Sequence, residues 1–281
     1  MPDVGPTAVL PRRPLTVGEL LDSAVLLLRD QGRVLVPLGV LLAAGEQLLL
    51  YPLRRLADAL PPVWWSDSGV FPLWWQLLAV GAAAEAVIIL LLGNPAARAA
   101  GTALLGRRAT VTELLRPAGA RWGVTLLLAP AVGLLMLIAA LLGPAWLVGY
   151  GLLGSVAAAV VLDRVPGVAA VPRAARVAAR GRAAAVRLLG YLGWWVLRVG
   201  LALGLFFGVE SLHLVDLADP GVRAAAAMLA WGAVNSVAYP ALACLDAVIH
   251  LDGRMRTEGL DIQLARTPVG LVAAGLPAVD R

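Results

Sequence analysis

Long apolar segments that alternate with clusters of arginine restrict the fold of this 281-residue chain more than any other feature. A helix crosses the hydrocarbon core of a bilayer, which is about 30 Å thick, with roughly 20 mostly apolar residues. Hydrophobic residues make up 60% of the chain, charged residues only 15%, and the mean hydropathy is +0.83. Soluble domains rarely have this composition. The sequence therefore predicts an all-α polytopic membrane protein.

Six apolar windows are long enough to span, and we predict one membrane domain over residues 1–261. The windows are 34–51, 70–92, 122–142, 145–162, 188–209 and 224–251. Little more than Gly143-Pro144 separates the third from the fourth, so these two should form an antiparallel helical hairpin, because proline ends a helix. Residues 262–281, rich in Ala, Gly and Pro, are predicted to be a loosely ordered tail.

The distribution of arginine predicts the orientation of the spans. The chain has 23 basic residues and no lysine, and loops rich in arginine stay in the cytoplasm. Nineteen arginines share one side, namely Arg12, Arg13, Arg29, Arg33, Arg98, Arg107, Arg108, Arg116, Arg121, Arg164, Arg173, Arg176, Arg180, Arg182, Arg187, Arg254, Arg256, Arg266 and Arg281. Arg54, Arg55 and Arg223 lie on the other side, and Arg198 lies within a span. Both termini should therefore be cytoplasmic.

The same charge pattern predicts the surroundings of the protein. A basic cytoplasmic face favours contact with anionic lipid headgroups rather than nucleic acid. Heavy use of Ala, Gly, Arg and Leu without lysine is typical of a bacterial genome of high GC content. We therefore expect a multi-pass protein of a bacterial plasma membrane. Cys244 lies inside the last window and should be a small buried apolar residue.

A short segment recurs ahead of two of the hairpins. Residues 16–21, with the sequence TVGELL, return at 110–115 as TVTELL. Both copies contain the Thr-x-x-Glu capping box that begins a helix. We predict interfacial amphipathic helices at 16–30 and 110–120, the second interrupted by Pro117, and a third basic one at 168–187. The architecture would then be three units, each an interfacial helix followed by a hairpin.

A charged string follows the sixth window. Its residues are Asp252, Arg254, Arg256, Glu258, Gly259 and Asp261. On a helix, Asp252 can pair with Arg256 and Arg254 with Glu258, and Gly259 is placed to end the helix. The string can be a solvated helix end, or it can be a docking site for a cytoplasmic partner or for another loop of this chain.

This string resembles the closing Asp-x-Arg-x-Arg-x-Glu-Gly-x-Asp motif of a bacterial integral membrane family related to the membrane domain of glycerophosphoryl diester phosphodiesterases. Residues 15–22 and 106–114 also fit the pattern of that family. The resemblance implies a six-span protein, sometimes joined to a phosphodiesterase domain, with no established activity. The resemblance implies that the catalytic half of those enzymes uses a His-Arg pair, metal-binding carboxylates and a further histidine in a soluble barrel. This chain has only His213 and His250, each followed by leucine. We therefore predict no phosphodiesterase activity, no other catalytic residues, no metal site and no cofactor.

Four acidic or arginine residues lie inside predicted spans, namely Glu46, Glu85, Arg198 and Asp246. Charges in the bilayer need a partner, a hydrated cavity or neutralisation. Counted from the cytoplasmic ends of the windows, Glu85 and Asp246 lie roughly 10 Å deep and Arg198 roughly 16 Å deep. We predict a polar cluster of Arg198 with Glu85 or Asp246, with Glu46 higher and able to share a hydrogen bond with Asn235. Such a cluster can be a structural pair or a site for transport.

Three further patterns each allow two interpretations. Gly200, Gly204 and Gly208 lie on one face of the fifth span and predict close helix packing, within the chain or in a homo-oligomer. Four tryptophans lie on the outer side, namely Trp64, Trp65, Trp74 and Trp75. Tryptophans at the ends of spans are typical of anchors at the membrane interface. The alternative is a platform that binds lipid or carbohydrate. A second outer loop can be a solvated acidic loop or a metal site; its residues are Glu210, His213, Asp216 and Asp219.

These observations leave two functional hypotheses. The first is a non-catalytic scaffold or accessory subunit that binds a cytoplasmic or membrane protein partner, or anionic lipid, through its arginine-rich face. The alternative is a small transporter or permease with a polar path at Arg198, Glu85 and Asp246.

Overall fold

The computed structural model describes residues 10–62, 71–116, 119, 121–213 and 216–266, and all regular secondary structure in these ranges is helical. The helices are α1 (Val17–Leu56), α2 (Phe71–Leu104), α3 (Val111–Leu115), α4 (Trp122–Leu141), α5 (Ala145–Leu153), α6 (Val156–Val161), α7 (Ala170–Ala179), α8 (Ala183–Ser211), α9 (Pro220–Glu258) and α10 (Leu260–Arg266). Helices α1, α2, α4, α8 and α9 are long and apolar enough to cross a membrane. The predicted all-helical architecture with several long apolar helices is confirmed. The fourth predicted window is divided between the shorter helices α5 and α6.

The first interfacial helix and the first predicted span form one continuous helix of 40 residues, α1. Its capping box is present: the backbone N–H of Thr16 donates to Glu19 Oε2 at 2.7 Å, and the Glu19 N–H donates to Thr16 Oγ1 at 3.3 Å. Two elements were expected because polar residues separate the apolar stretches. The helix continues because Asp30 is neutralised by Arg108 and Gln31 donates to the carbonyl of Ala109 at 3.4 Å.

The second copy of the repeat begins in the same way but ends early. The Thr110 N–H donates to Glu113 Oε2 at 2.8 Å, and an arginine three residues before each cap threonine pairs with the box glutamate. These pairs are Arg13 with Glu19 at 2.5 Å and Arg107 with Glu113 at 3.4 Å. Helix α3 stops at Leu115, not at residue 120. The repeat is therefore a repeat of helix starts rather than of whole helices.

The third predicted interfacial helix, 168–187, is broken in two. Helix α7 ends at Ala179 and α8 begins at Ala183, because Gly181 adopts a left-handed backbone with φ +101°. Residues 183–187 consequently belong to the long helix α8. The first residues of the predicted tail are helical instead, because α10 continues to Arg266; the rest of that prediction, residues 267–281, lies outside the described ranges.

Arginines at one end of the bundle bind the carbonyl groups at which helices finish. Arg12 Nε donates to the Leu104 carbonyl at the end of α2 at 2.9 Å, and Arg98 Nη1 donates to the Leu114 carbonyl at the end of α3 at 3.0 Å. Arg121 Nη1 donates to the Val160 carbonyl of α6 at 3.4 Å. Cations stabilise helix C-termini in this way. We call this end, with the start of α1 and the finish of α9, the arginine-rich end, and the other the opposite end.

Helix α9 is the centre of the bundle and α8 is at its edge. In the most apolar windows, 78% of the α9 residues are buried but only 17% of those in α8. Helix α9 packs against α1, α2 and α8, whereas α8 packs mainly against α9 and α5. The middle of α9 therefore carries the core, and most of α8 faces outward.

The α4–α5 hairpin is shorter than the helices around it. A Cβ at Gly133 of α4 would lie 2.8 Å from Val87 of α2, so these residues are at one level. From there α4 continues for eight residues to Leu141, about 12 Å, while α2 extends sixteen residues back to Phe71, about 24 Å. The end of α4 thus lies about 12 Å below the level of Phe71, the first residue of α2. Space remains between α2 and α8 beyond the turn of the hairpin.

Gly39 is the point of closest approach between α1 and α9. A Cβ there would lie 2.4 Å from the Ser236 carbonyl oxygen and 2.8 Å from Pro240 Cγ. We expect Gly39→Ala to lower the free energy of unfolding by about 1–3 kcal/mol, because backbone must move to admit the methyl group. Unfolding in mixed detergent micelles, followed by circular dichroism, measures this change.

Gly45 on the same helix is the matched control. Apart from the backbone of α1 itself, no atom in the part of the chain that the structure describes lies within 4 Å of the position its Cβ would take. Gly45→Ala should leave stability unchanged or raise it by up to about 1 kcal/mol, since alanine loses less backbone entropy in a helix. Equal effects of the two substitutions would contradict the close approach at Gly39.

Candidate functional site

Arg198 of α8 is the centre of a buried polar cluster. Its Nη1 donates to Glu85 Oε1 and Oε2 of α2 at 2.9 and 3.0 Å, and its Nε donates to Asn235 Oδ1 of α9 at 2.9 Å. Nη2 donates to the Tyr239 hydroxyl at 3.4 Å, and the rings of Trp231 and Tyr239 each lie 5.0 Å from the guanidinium carbon. Arg198 thus joins three helices, with Glu85 as its counter-ion.

Glu46 of α1 belongs to the same cluster. The Tyr239 hydroxyl lies 2.9 and 2.8 Å from its two carboxylate oxygens, and Asn235 Nδ2 donates to Oε2 at 3.5 Å. The depths counted from the cytoplasmic ends of the predicted windows place Glu46 farther from the cytoplasm than Arg198. The counting failed because it began at the ends of the predicted windows, whereas α1 and α9 extend well beyond theirs. Glu46 and Asn235 do share the expected hydrogen bond.

Asp246 does not contact Arg198 but pairs with Arg187. Arg187 Nε lies 2.7 Å from Asp246 Oδ1, Nη2 donates to Oδ2 at 2.9 Å, and the Tyr191 hydroxyl is 3.3 Å from Oδ2. Asp246 lies eleven residues after Asn235 on α9, about 16 Å along the helix. It is therefore too far from Arg198. Arg187 was missed because the sequence assigned it to an interfacial helix rather than to α8.

A cavity of 570 Å³ lies against the Arg198 cluster, in the space that the short hairpin leaves between α2 and α8. Its charged lining consists of Glu46, Arg54, Glu85 and Arg198. Its aromatic lining consists of Trp74, Trp75, Trp146, Tyr150, Tyr191, Trp195 and Trp231. This volume lies within the range of small-molecule pockets, which are mostly apolar with a few placed polar groups.

Arg54 is the charged residue of the cavity that sequence analysis missed. It was assigned to an outer flank, yet it is buried on α1, and its Nη1 donates to Gln47 Oε1 at 2.7 Å. Gln47 Nε2 in turn donates to Glu46 Oε2 at 3.2 Å. A spacing of eight residues puts Glu46 and Arg54 on one helix face. That spacing was the available signal.

A second buried cluster lies at the arginine-rich end, around Asp163. Asp163 Oδ2 accepts from Arg173 Nε at 2.7 Å, and Oδ1 lies 3.0 Å from Arg254 Nη1 and 3.2 Å from His250 Nε2. Arg173 Nη2 also donates to Glu258 Oε2 at 2.7 Å. Burial alone would raise the pKa of Asp163, but its interactions with His250, Arg254 and Arg173 hold that pKa well below its usual range.

The charged string after the sixth window forms the predicted intrahelical pairs. Arg256 Nε lies 2.9 Å from Asp252 Oδ2, and Arg254 Nε lies 3.0 Å from Glu258 Oε2. Gly259 follows the helix as its C-cap residue with φ +62°, as predicted. Asp261, the last residue of the string, lies in the first turn of α10.

The string is nevertheless not a solvated helix end, because Asp252 and Arg254 are buried. Asp252 Oδ1 accepts from the backbone N–H of Leu15 at 2.8 Å, and Arg256 and Arg182 donate to the carbonyl oxygen of Leu15. The string therefore binds the segment that leads into α1. Of the alternatives left open by the sequence, docking of another part of this chain is the one observed.

The glycine face of α8 does not pack within the chain. Apart from the backbone of α8 itself, no atom of the described residues lies within 4 Å of the position that a Cβ would take at Gly200, Gly204 or Gly208. The predicted intramolecular packing is wrong because α9 contacts the other side of α8, where Arg198 and Ala202 are buried. The homo-oligomer contact stays a prediction.

The predicted outer features have ordinary structural roles where they are described. Phe71, Trp74 and Trp75 form a ring cluster with centroids 5.5–6.2 Å apart, whereas Trp64 and Trp65 lie outside the described ranges. Asp219 caps α9 by accepting from the Val222 N–H at 2.8 Å. Within the described ranges, no group of three or more His, Cys, Asp or Glu residues could hold a metal ion.

Comparisons of the chain with protein-family models, with curated proteins and with solved structures found no match. The geometry of the site is therefore the basis for assigning a function.

Proposed function

We propose that this chain is a small transporter or permease of a bacterial plasma membrane, with its site in the cavity beside Arg198. In this proposal α5 and α6 together form a sixth span, and both termini are cytoplasmic because the arginine-rich end faces inward. The ligand is a small amphipathic molecule. The observation that carries the proposal is the 570 Å³ cavity, whose apolar walls meet the buried pair of Arg198 and Glu85.

A purely structural role for Arg198 would not require this cavity. A structural ion pair in a bilayer is stabilised by close packing that excludes lipid and water. The pair of Arg187 and Asp246 is of this kind, because both side chains are buried and Arg187 lies against Gly154, where a Cβ would overlap its guanidinium. Arg198 and Glu85 instead line an open volume that can hold a molecule.

Partner binding through the charged string has less support than transport. The scaffold hypothesis relied on Arg254 and Arg256 as contact residues. Arg254 is buried between Asp163 and Glu258, and Arg256 binds Asp252 and the Leu15 carbonyl. Both side chains are engaged in holding the chain together, so we place the function in the cavity.

Cysteine accessibility tests this proposal. We expect Ala82→Cys, in the cavity one turn from Glu85, to react with a charged, membrane-impermeant thiol reagent in native membranes. A hydrated cavity allows the thiol to ionise, and the thiolate is the reactive form. The native Cys244 is buried and provides an unreactive background.

Leu49→Cys is the control at the same level. Leu49 lies three residues beyond Glu46 on α1 and its side chain is 61% exposed on the outside of the bundle, where lipid should keep a thiol protonated. Lack of reaction at both positions would reject a hydrated site beside Arg198. If both cysteines react equally, Leu49 is not covered by lipid, and the proposal that this part of the bundle lies within the membrane is rejected.

A further inference from the structure

Arg54 is a buried cation in the cavity that makes no direct ion pair among the described residues. Only 5% of the surface of Arg54 is exposed. Among the described residues its guanidinium has one hydrogen-bond acceptor, the neutral amide oxygen of Gln47, and no carboxylate within ion-pair distance. The buried arginines Arg187 and Arg198, by contrast, are paired with Asp246 and Glu85.

A buried guanidinium without an anion is an unfavourable arrangement. Removing a charge from water is costly unless another charge and hydrogen bonds replace the lost solvation. Arg54 has four N–H groups that Gln47 does not bind, and it faces the cavity. Glu46 reaches Arg54 only through Gln47. The arrangement is explained if the molecule that enters the cavity carries an anion that binds Arg54 directly.

A second donor without an acceptor borders the same end of the cavity. The indole N–H of Trp74 is buried and has no hydrogen-bond partner among the described residues. Trp74 and Leu53 both pack against an apolar cluster that includes Leu50 and Ala57, at the end of α1 that carries Arg54. Both unsatisfied groups are donors, so they select for acceptor oxygens, as in a phosphate or a carboxylate.

The rest of the cavity is suited to an apolar chain. From Trp74 the lining of α2 extends about 16 Å to Glu85 and includes Leu77 and Leu78. On α8, Leu192 and Trp195 line the cavity and are each 49% exposed, so this wall continues to the outer surface of the bundle. An apolar chain can therefore reach the cavity sideways between α2 and α8.

We propose that the ligand is an amphiphile with an anionic headgroup, bound at Arg54 and Trp74, with its apolar chain along α2 and α8. The inference rests on the proposed function and specifies its substrate class. Arg54 lies two residues before the end of α1 at Leu56, a level at which lipid headgroups would lie. The anion can come from a membrane lipid or from free phosphate, and the experiment separates these sources.

Quenching of tryptophan fluorescence by lipids with brominated chains tests the inference, because five of the nine tryptophans line the cavity. The full chain in detergent micelles is titrated with brominated phosphatidylglycerol, brominated phosphatidylcholine or brominated diacylglycerol, and separately with inorganic phosphate as a competitor. We expect phosphatidylglycerol to quench at the lowest concentration and phosphate to compete weakly.

Variants at two neighbouring arginines identify the binding group. Arg54→Gln should raise the half-quenching concentration of phosphatidylglycerol at least about tenfold, because charge-assisted hydrogen bonds to the headgroup are lost. Arg54→Lys should retain most of the affinity. Arg55→Gln is the matched control and should have no effect, since Arg55 is exposed and its described contact is the Tyr51 hydroxyl at 3.3 Å.

Several results would overturn the inference. Equal effects of Arg54→Gln and Arg55→Gln would assign the preference to general surface charge. Equal quenching by phosphatidylglycerol and phosphatidylcholine would reject headgroup selection while leaving the proposed function intact. Competition by phosphate at lipid-like concentrations would assign the site to a free anion. Quenching by none of the lipids beyond the level of surrounding lipid would reject the proposed function as well. If Arg54→Gln does not fold, Arg54→Lys is the test, because lysine keeps the positive charge. Loss of phosphatidylglycerol binding in Arg54→Lys would then contradict binding through charge at this position.

Discussion

Replacing Arg198 by leucine is expected to lower the free energy of unfolding by about 3–5 kcal/mol. The substitution leaves the Glu85 carboxylate without its counter-ion and removes a donor from Asn235 and Tyr239. A buried charge without a partner costs more than the pair itself contributes, since the solvation of both groups was already lost on folding. Unfolding by sodium dodecyl sulfate in mixed micelles, followed by tryptophan fluorescence, measures the effect.

The double variant Arg198→Leu with Glu85→Leu separates the ion pair from the packing around it. With both charges removed, most of the lost stability should return, because no unpaired charge remains. Arg223→Leu is the surface control, since Arg223 lies exposed on the first turns of α9. If Arg198→Leu alone is as stable as the original chain, the pair with Glu85 does not contribute to the fold.

Asp163→Asn is expected to have an effect of similar size, about 3–5 kcal/mol. The Asp163 side chain is fully buried between Arg173, Arg254 and His250. An amide of the same shape cannot neutralise the two guanidinium groups, and its NH₂ would point donors at other donors. The matched control is Asp216→Asn in the exposed loop before α9, where the carboxylate caps the Ala218 N–H at 2.9 Å.

The pH dependence of stability provides a second readout for Asp163. Its surroundings lower its pKa in the folded chain, and the pKa of Glu258 is also lowered, because hydrogen bonds and charges from Arg173 and Arg254 outweigh burial. A lowered folded-state pKa contributes stability that is complete above the unfolded pKa of about 4 and is lost as the pH falls below it.

The contribution of Asp163 and Glu258 to the free energy of unfolding of the original chain should therefore be constant above about pH 5. It should decline below about pH 4. Asp163→Asn should show a shallower decline, because one of the two carboxylates no longer titrates. An unchanged acid slope in the variant would show that Asp163 is not held in its ionised form by the cluster.

Local patterns in the sequence predicted local structure well. The repeated Thr-x-x-Glu boxes begin α1 and α3, the intrahelical pairs of the charged string form, and Gly259 ends α9. Each of these depends on residues within one or two helical turns, which the order of residues determines directly. The pairing of Arg198 with Glu85 could also be anticipated, because few groups in the bilayer could neutralise that charge.

Relations between distant helices were harder to anticipate. Depth counting misplaced Glu46 and gave Asp246 to the wrong arginine, since the helices are longer than their apolar windows. The glycine face of α8 satisfied a packing pattern but faces outward. Periodicity describes which faces a helix has, and it does not say which neighbour will cover each of them.

The sequence by itself determined a helical chain with several long apolar helices and the capping boxes at which α1 and α3 begin, because hydropathy and capping act over short stretches. Only the tertiary structure decided that the charged string binds the segment before α1, that the hairpin of α4 and α5 ends short, and that Arg54 faces the resulting cavity. These features depend on the relative lengths and levels of helices far apart in the chain, which are set by packing rather than by any local pattern.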